Sequence, residues 1–204
     1  MDASGNGHHG SVVGATLTSD RNNNADRAYY FNGKDNYIFV SPGDAFAPNQ
    51  FTICAMVSIE EQVTTNCCPR IIHRMRWVNC KDPGSLCTGY DMHYQEIGDN
   101  YKKFLTYNFF DKTGGELSVV SPQNLEYGKW YQVAVTYDEK VFKFYFNGIL
   151  NHAKTVTSPI AHTPDMNFLI GSDGGVGTFK GKIDEVYFYN RVLTDDEILQ
   201  FKNY

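Results

Sequence analysis

The chain has 204 residues, a formal net charge of −5 and an aromatic content of 15%. That length suffices for one all-β unit with a substantial core. No basic block appears, so nucleic acid and anionic membrane surfaces are poor partners, and no apolar run approaches the roughly 20 residues that span a bilayer.

Asp2 to Gly14 is rich in Asp, Ser, Gly, Asn and His, a loop composition. His8 and His9 are adjacent, so an extended chain would point them in opposite directions, a poor joint metal site. Ala28 to Val40 carries two short strands joined by the turn Asn32-Gly33-Lys34-Asp35-Asn36. Phe51 to Ile59 alternates Phe51, Ile53, Ala55, Val57 and Ile59 against Thr52, Cys54, Met56 and Ser58 and reads as a core strand, with Cys54 a small buried hydrophobe.

Residues 60–89 break the pattern, with a cysteine-rich insertion at about 64–89. Cys67, Cys68, Cys80 and Cys87 bracket a strand-like Arg70 to Val78, and Lys81 to Thr88 looks inserted. Neighbouring cysteines do not readily bond to each other, so the expectation is two disulfides joining Cys67 and Cys68 to Cys80 and Cys87 in either pairing. A four-cysteine zinc site or free thiols are the alternatives, zinc having the worse spacing.

A run of strands follows: Tyr90 to Ile97, Phe104 to Asp111, Glu116 to Ser121 and Trp130 to Asp138. Asn147-Gly148 joins Val141–Asn147 to Ile149–Lys154 as a type I′ hairpin. Phe168 to Gly171 and Gly181 to Tyr189 complete the set, and many short strands between turn signals argue a sandwich. In the last strand, strict alternation places Asp184 with Val186 and Phe188, where a carboxylate needs a donor or a cation. Thr194-Asp195-Asp196-Glu197 then fits a capping box opening a short helix.

The order in FKGKIDEVYFYNRVLTDDEIL of glycine, acid-bearing strand, Asn-Arg, Leu and capping box resembles the close of a laminin-G-like, concanavalin A-type jelly-roll domain. DASGNGHHGSVVGATLTSD, AYYFNGKDNYIFV, FTICAMVSI, GKWYQVAVTYD and FYFNGIL look like that superfamily's landmarks in its order, so the resemblance covers nearly the whole chain. It implies an all-β, two-sheet antiparallel sandwich, one domain over residues 1–204, with its first and last strands adjacent and helix only at Thr194 to Phe201. Together with the cysteines it also implies export, to the medium or the cell surface, with Met1 standing in place of a removed leader.

Function is less directly implied, because one fold hosts many sites. A laminarinase-type hydrolase would need acids alternating as Glu-x-Asp-x-Glu on one strand, and that pattern is missing. A lyase would need a Tyr/His pair beside Gln and Arg, for which His73, Arg74, His93, Tyr94, Gln95 and Tyr107 are the available residues. The resemblance favours a non-catalytic, lectin-like module binding a polysaccharide or other glycan, with a protein-binding adhesion domain as the alternative. The expected contacts are Arg74, Arg76, Trp77, Tyr90, His93, Tyr94, Tyr107 and Asn108, on the concave sheet and the cysteine-bearing loop. The superfamily also implies a structural Ca²⁺ held by Asp184, the turn residues Asn32, Gly33 and Asp35, and Asp2, since calcium accepts six to eight oxygens in loose geometry.

Overall fold

A computed structural model describes residues 2–40, 44–61, 68–76, 87–97, 102–113, 115–121, 125–162, 166–175 and 177–201. Four strands open the chain: β1 (Gly10–Val13), β2 (Thr16–Thr18), β3 (Ala28–Asn32) and β4 (Tyr37–Val40). A 3-10 turn at Asp44–Phe46 leads to β5 (Phe51–Ile59), β6 (Arg70–Arg76), β7 (Thr88–Ile97), β8 (Lys102–Phe110) and β9 (Glu116–Val120). Then come β10 (Trp130–Tyr137), β11 (Val141–Phe146), β12 (Ile149–Thr155), β13 (Phe168–Ile170), β14 (Lys180–Tyr189) and the helix α1 (Asp195–Gln200). All these strands pair antiparallel in two seven-stranded sheets, ordered β1-β4-β13-β6-β7-β8-β9 and β12-β11-β10-β5-β14-β3-β2. The expected all-β sandwich is what the chain forms.

The inner faces of the two sheets meet in one aromatic-rich core. Phe109 stacks on Phe142 at 3.8 Å between ring centroids, and Tyr137 on Phe142 at 4.4 Å. Such contacts add to the burial of large apolar surface that drives the sheets together. The Asn147-Gly148 hairpin has the expected backbone, with φ of 50° and 80°. The capping box forms too: Glu197 N donates to Thr194 Oγ1 at 3.2 Å, and Thr194 N to Glu197 Oε2 at 2.8 Å.

Three expectations change. The stretch Asp2 to Gly14, read as a loop, contributes β1, whose exposed side chains leave only a faint apolar pattern. The first and last strands are not neighbours: β1 pairs with β4 in one sheet, whereas β14 lies between β5 and β3 in the other. Finally, β14 carries a β-bulge. Asp184 pairs with Met56 and Tyr187 with Cys54, so three steps on β14 match two on β5. The extra residue, Glu185, has φ of 50°. Ile183 therefore points into the core, as do Val186 and Phe188 beyond the bulge. Asp184 takes the opposite face from all three, so it is not an inward acid.

Candidate functional site: a polar strip across the first sheet

Strand alternation divides the segment Thr88–Ile97 cleanly. Tyr90, Met92 and Tyr94 enter the core, while Asp91, His93 and Gln95 take the other face. The next strand does likewise: Leu105, Tyr107 and Phe109 turn inward, Thr106 and Asn108 outward. On β6, His73 stands opposite Asp91 and Arg70 opposite His93. One row of residues thus crosses the sheet away from the core: Ser11, Phe39, Leu169, His73, Asp91, Asn108 and Ser118.

Asp91 is the centre of this row and is fully buried. An ionised carboxylate taken out of water needs charge and hydrogen-bond compensation. Arg70 Nη1 lies 2.8 Å from its Oδ2, and His93 Nδ1 lies 3.0 Å from its Oδ1. His73 Nδ1 stands farther off, at 4.0 Å from Oδ2. Burial holds the His73 imidazole below its usual pKa, with Asp91 pulling the other way, so it is neutral near pH 7. Asp173 also acts on His73; its own Oδ1 accepts from Gly175 N at 2.8 Å and Gly177 N at 3.0 Å.

Not every polar atom here is satisfied within the protein. Arg70 Nε, His73 Nδ1 and Asn108 Oδ1 are shielded from water and have no hydrogen-bond partner. Buried groups of this kind are uncommon, and three of them gather here around one buried carboxylate. Beside them in the row, Leu169 and Phe39 are partly exposed, and Tyr37 lies 6.3 Å from Phe39 between ring centroids.

The residues expected to touch ligand fall on both sides of the sheet. His93 and Asn108 belong to the strip. Tyr90, Tyr94 and Tyr107 do not: they are core side chains, Tyr90 donating its hydroxyl to Phe46 O at 3.0 Å. Arg74 is fully buried on the Tyr90 side, and Arg76 is exposed at the end of β6. Trp77, Cys67 and Cys80 lie outside the described residues. Cys54 is a buried free thiol; Cys68 and Cys87 are buried, and neither is a free thiol. The lyase set is split the same way, since Arg74, Tyr94 and Tyr107 face away from His73, His93 and Gln95. Arg70, His73 and Asp91 are the strip's main groups. Neither Arg70 nor Asp91 is among the contacts expected from the sequence, and although alternation places Asp91 beside His93, Arg70 and His73 share this face only through the register shift between Arg70 and Ile72.

Of the residues expected to hold calcium, Asn32 and Asp184 stand apart. The turn partner of Asn32 on β14 is Lys180, four residues from Asp184, or about 13 Å along the strand. The turn is closed by its own bonds: Asn32 Oδ1 accepts from Lys34 N at 2.9 Å, and Asp35 Oδ1 from Asn32 Nδ2 at 2.8 Å. Gly33 O accepts from Thr178 Oγ1 at 2.8 Å. Asp2 accepts from Ser4 N at 2.8 Å and His8 N at 3.0 Å, bonds that bring its pKa down to about 2. Asp184 sits apart, half-buried near Asp20, Arg21 and Glu185, with burial pushing its pKa up to about 6.

A laminin-G-type family model, described as the concanavalin A-like lectin/glucanases superfamily, matches residues 32–199. The chain belongs to this superfamily. No curated protein sequence matches it. Among solved structures, this superfamily member resembles the binding domain of Paraclostridial Mosquitocidal Protein 1, with a TM-score of 0.75 and 15% identity over 99% of this chain. It spans 48% of that toxin chain, about half its length. Domain 4 of AbnA, an extracellular GH43 arabinanase from Geobacillus stearothermophilus solved with arabinotriose, gives a TM-score of 0.68 and 18% identity, covering 98% of this chain and 91% of that one. The receptor-binding domain of botulinum neurotoxin mosaic serotype C/D gives a TM-score of 0.70 and 13% identity, over 97% of this chain and 46% of that one. At such identities the likeness is one of fold.

Proposed function

We propose that this chain is a non-catalytic carbohydrate-binding module of an exported protein, and that the glycan lies across the polar strip of the first sheet. The observation that carries the reading is the group of shielded, unpartnered atoms on Arg70, His73 and Asn108 around the buried carboxylate of Asp91. Sugars are bound by apolar side chains against their C–H faces and by fixed polar groups on their hydroxyls. Phe39 and Leu169 supply the first, the Asp91 cluster the second. Likeness to an arabinanase domain solved with arabinotriose over nearly its whole length supports the same reading.

The test is affinity electrophoresis through gels containing arabinan, xylan, mannan or β-glucan, followed by calorimetry with the polymer that retards the protein. Binding without release of reducing ends or unsaturated products is expected, and Phe39→Ala should weaken it. Retardation by none of the gels, with capture by a purified protein receptor instead, would replace this reading with the adhesion one. That second reading is favoured by likeness to domains described as receptor-binding.

A further inference from the structure

Resting on the glycan reading above, we propose that the strip selects neutral sugars and rejects sugars bearing a carboxylate. Whether a polar site prefers an anion depends on how much positive charge is left over after internal pairing. Two rows of side chains make up the strip: the row through Asp91 and the adjacent one of Val13, Tyr37, Arg70, His93, Thr106 and Val120. Arg70 is the one permanent cation in these rows, and Asp91 engages it at 2.8 Å. The same carboxylate holds His93 at 3.0 Å. A second acid, Asp173, lies close enough to act on His73. A uronate or sialate carboxylate brought here would meet two acids and a cation already neutralised.

What is left over is dipolar. Arg70 Nε is a donor and Asn108 Oδ1 an acceptor, both shielded from water and both without a partner. They belong to side chains flanking Asp91, Arg70 by its ion pair and Asn108 by direct register across the sheet. Hydroxyls, which both donate and accept, suit such a mixed pair better than a carboxylate, which only accepts. His73 Nδ1, on the opposite side of Asp91 from Asn108, is a third unpartnered atom that a hydroxyl can meet in either sense.

The experiment compares neutral and acidic polymers on the same protein: arabinan, xylan, mannan and β-glucan against polygalacturonate, alginate and hyaluronate, by affinity electrophoresis at low and moderate salt. Retardation by at least one neutral polymer and by none of the acidic ones is the expected result. Asn108→Ala, a partly exposed position whose variant should melt as the parent does, should weaken neutral binding about tenfold, the scale of one well-placed hydrogen bond. Arg70→Ala is the less safe variant because it strands a buried carboxylate. Binding to an acidic polymer as tight as to any neutral one overturns the selectivity while leaving the glycan reading in place. Failure to bind any of the seven overturns both. Neutral binding that ignores Asn108→Ala removes the assignment to this strip.

Discussion

The two sheets turn outer faces of opposite character away from their shared core. On the second sheet, Cys54, Ala134 and Tyr145 form an apolar patch that the chain covers itself with Leu193, Ile198 and Phe201 around α1. On the first sheet the corresponding face holds Arg70, His73, Asp91, His93 and Asn108. On the helix-covered face the polar neighbours are tied to the chain itself: Thr52 accepts from Leu193 N at 2.9 Å and donates to Arg191 O at 2.9 Å, and Gln132 Nε2 donates to Ile198 O at 2.8 Å, leaving its Oε1 as a shielded atom without a partner. The strip has three such atoms around one buried carboxylate. Inner faces of a sandwich are committed to packing, so the chemistry of the outer faces separates structure from function.

The largest expected effect breaks the strip from within. Asp91→Ala leaves the Arg70 guanidinium without its carboxylate and should cost about 3–5 kcal/mol in urea denaturation. A loss under about 1 kcal/mol would mean that the cluster is no more demanding than a surface ion pair.

Next come the cysteines beside the strands that carry the strip. If Cys67, Cys68, Cys80 and Cys87 form two disulfides, intact mass without reductant should fall short by their four thiol hydrogens. Each closed loop of roughly 13 to 20 residues should contribute about 3 kcal/mol, lost on reduction. A fully reduced mass after oxidative folding would remove this support.

On the helix-covered side the effects are smaller. Thr194→Ala removes the acceptor for Glu197 N and should cost about 1 kcal/mol, read as a lower melting temperature with glycan binding unchanged. Weakened binding would mean that the two faces are coupled after all.

The smallest effect belongs to Asp184. Its folded pKa, raised to about 6 by burial with Glu185 and Asp20 adding, exceeds the ordinary aspartate value of 3.8. The folded state therefore holds the proton more tightly, and this contribution to stability is full below about pH 4 and lost as pH rises through about 6. Asp184→Asn should flatten that slope and leave stability at pH 7 equal or slightly higher. A melting temperature that drops with EGTA, recovers with Ca²⁺ and loses this response in Asp184→Asn would reverse the sign and establish a metal there.

Most of the fold was legible because its signals are local. The stretch Phe51–Ile59 alternates without fault, Asn147-Gly148 prescribes its own turn, and Thr194 to Glu197 writes out a cap. The site was legible only in part. Asp91, His93 and Gln95 could be assigned to one face from period two alone, yet Tyr90, Tyr94 and Tyr107 were grouped with His93 by chemical type, against that same period. Asp184 failed for a different reason. Alternation assumes one residue per step, and nothing in Ile183-Asp184-Glu185-Val186 announces that Glu185 occupies a step of its own. Convergence of distant segments, such as the turn at Asn32 with Asp184, is set by register between strands, which no local pattern encodes.

Glu185 has one more consequence, for length variation in this family of sandwiches. Removing that single residue would leave Ile183, Val186 and Phe188 inward and Asp184, Tyr187 and Tyr189 outward in unbroken succession. The deletion would also abolish a left-handed backbone conformation at a non-glycine position. Its cost is the ion pair between Glu185 and Arg21, 2.8 Å long and partly buried. The middle of a strand is ordinarily the worst place to shorten a protein, because every later side chain changes sides. Here a one-codon deletion preserves each assignment, so relatives with and without the extra residue can share one core.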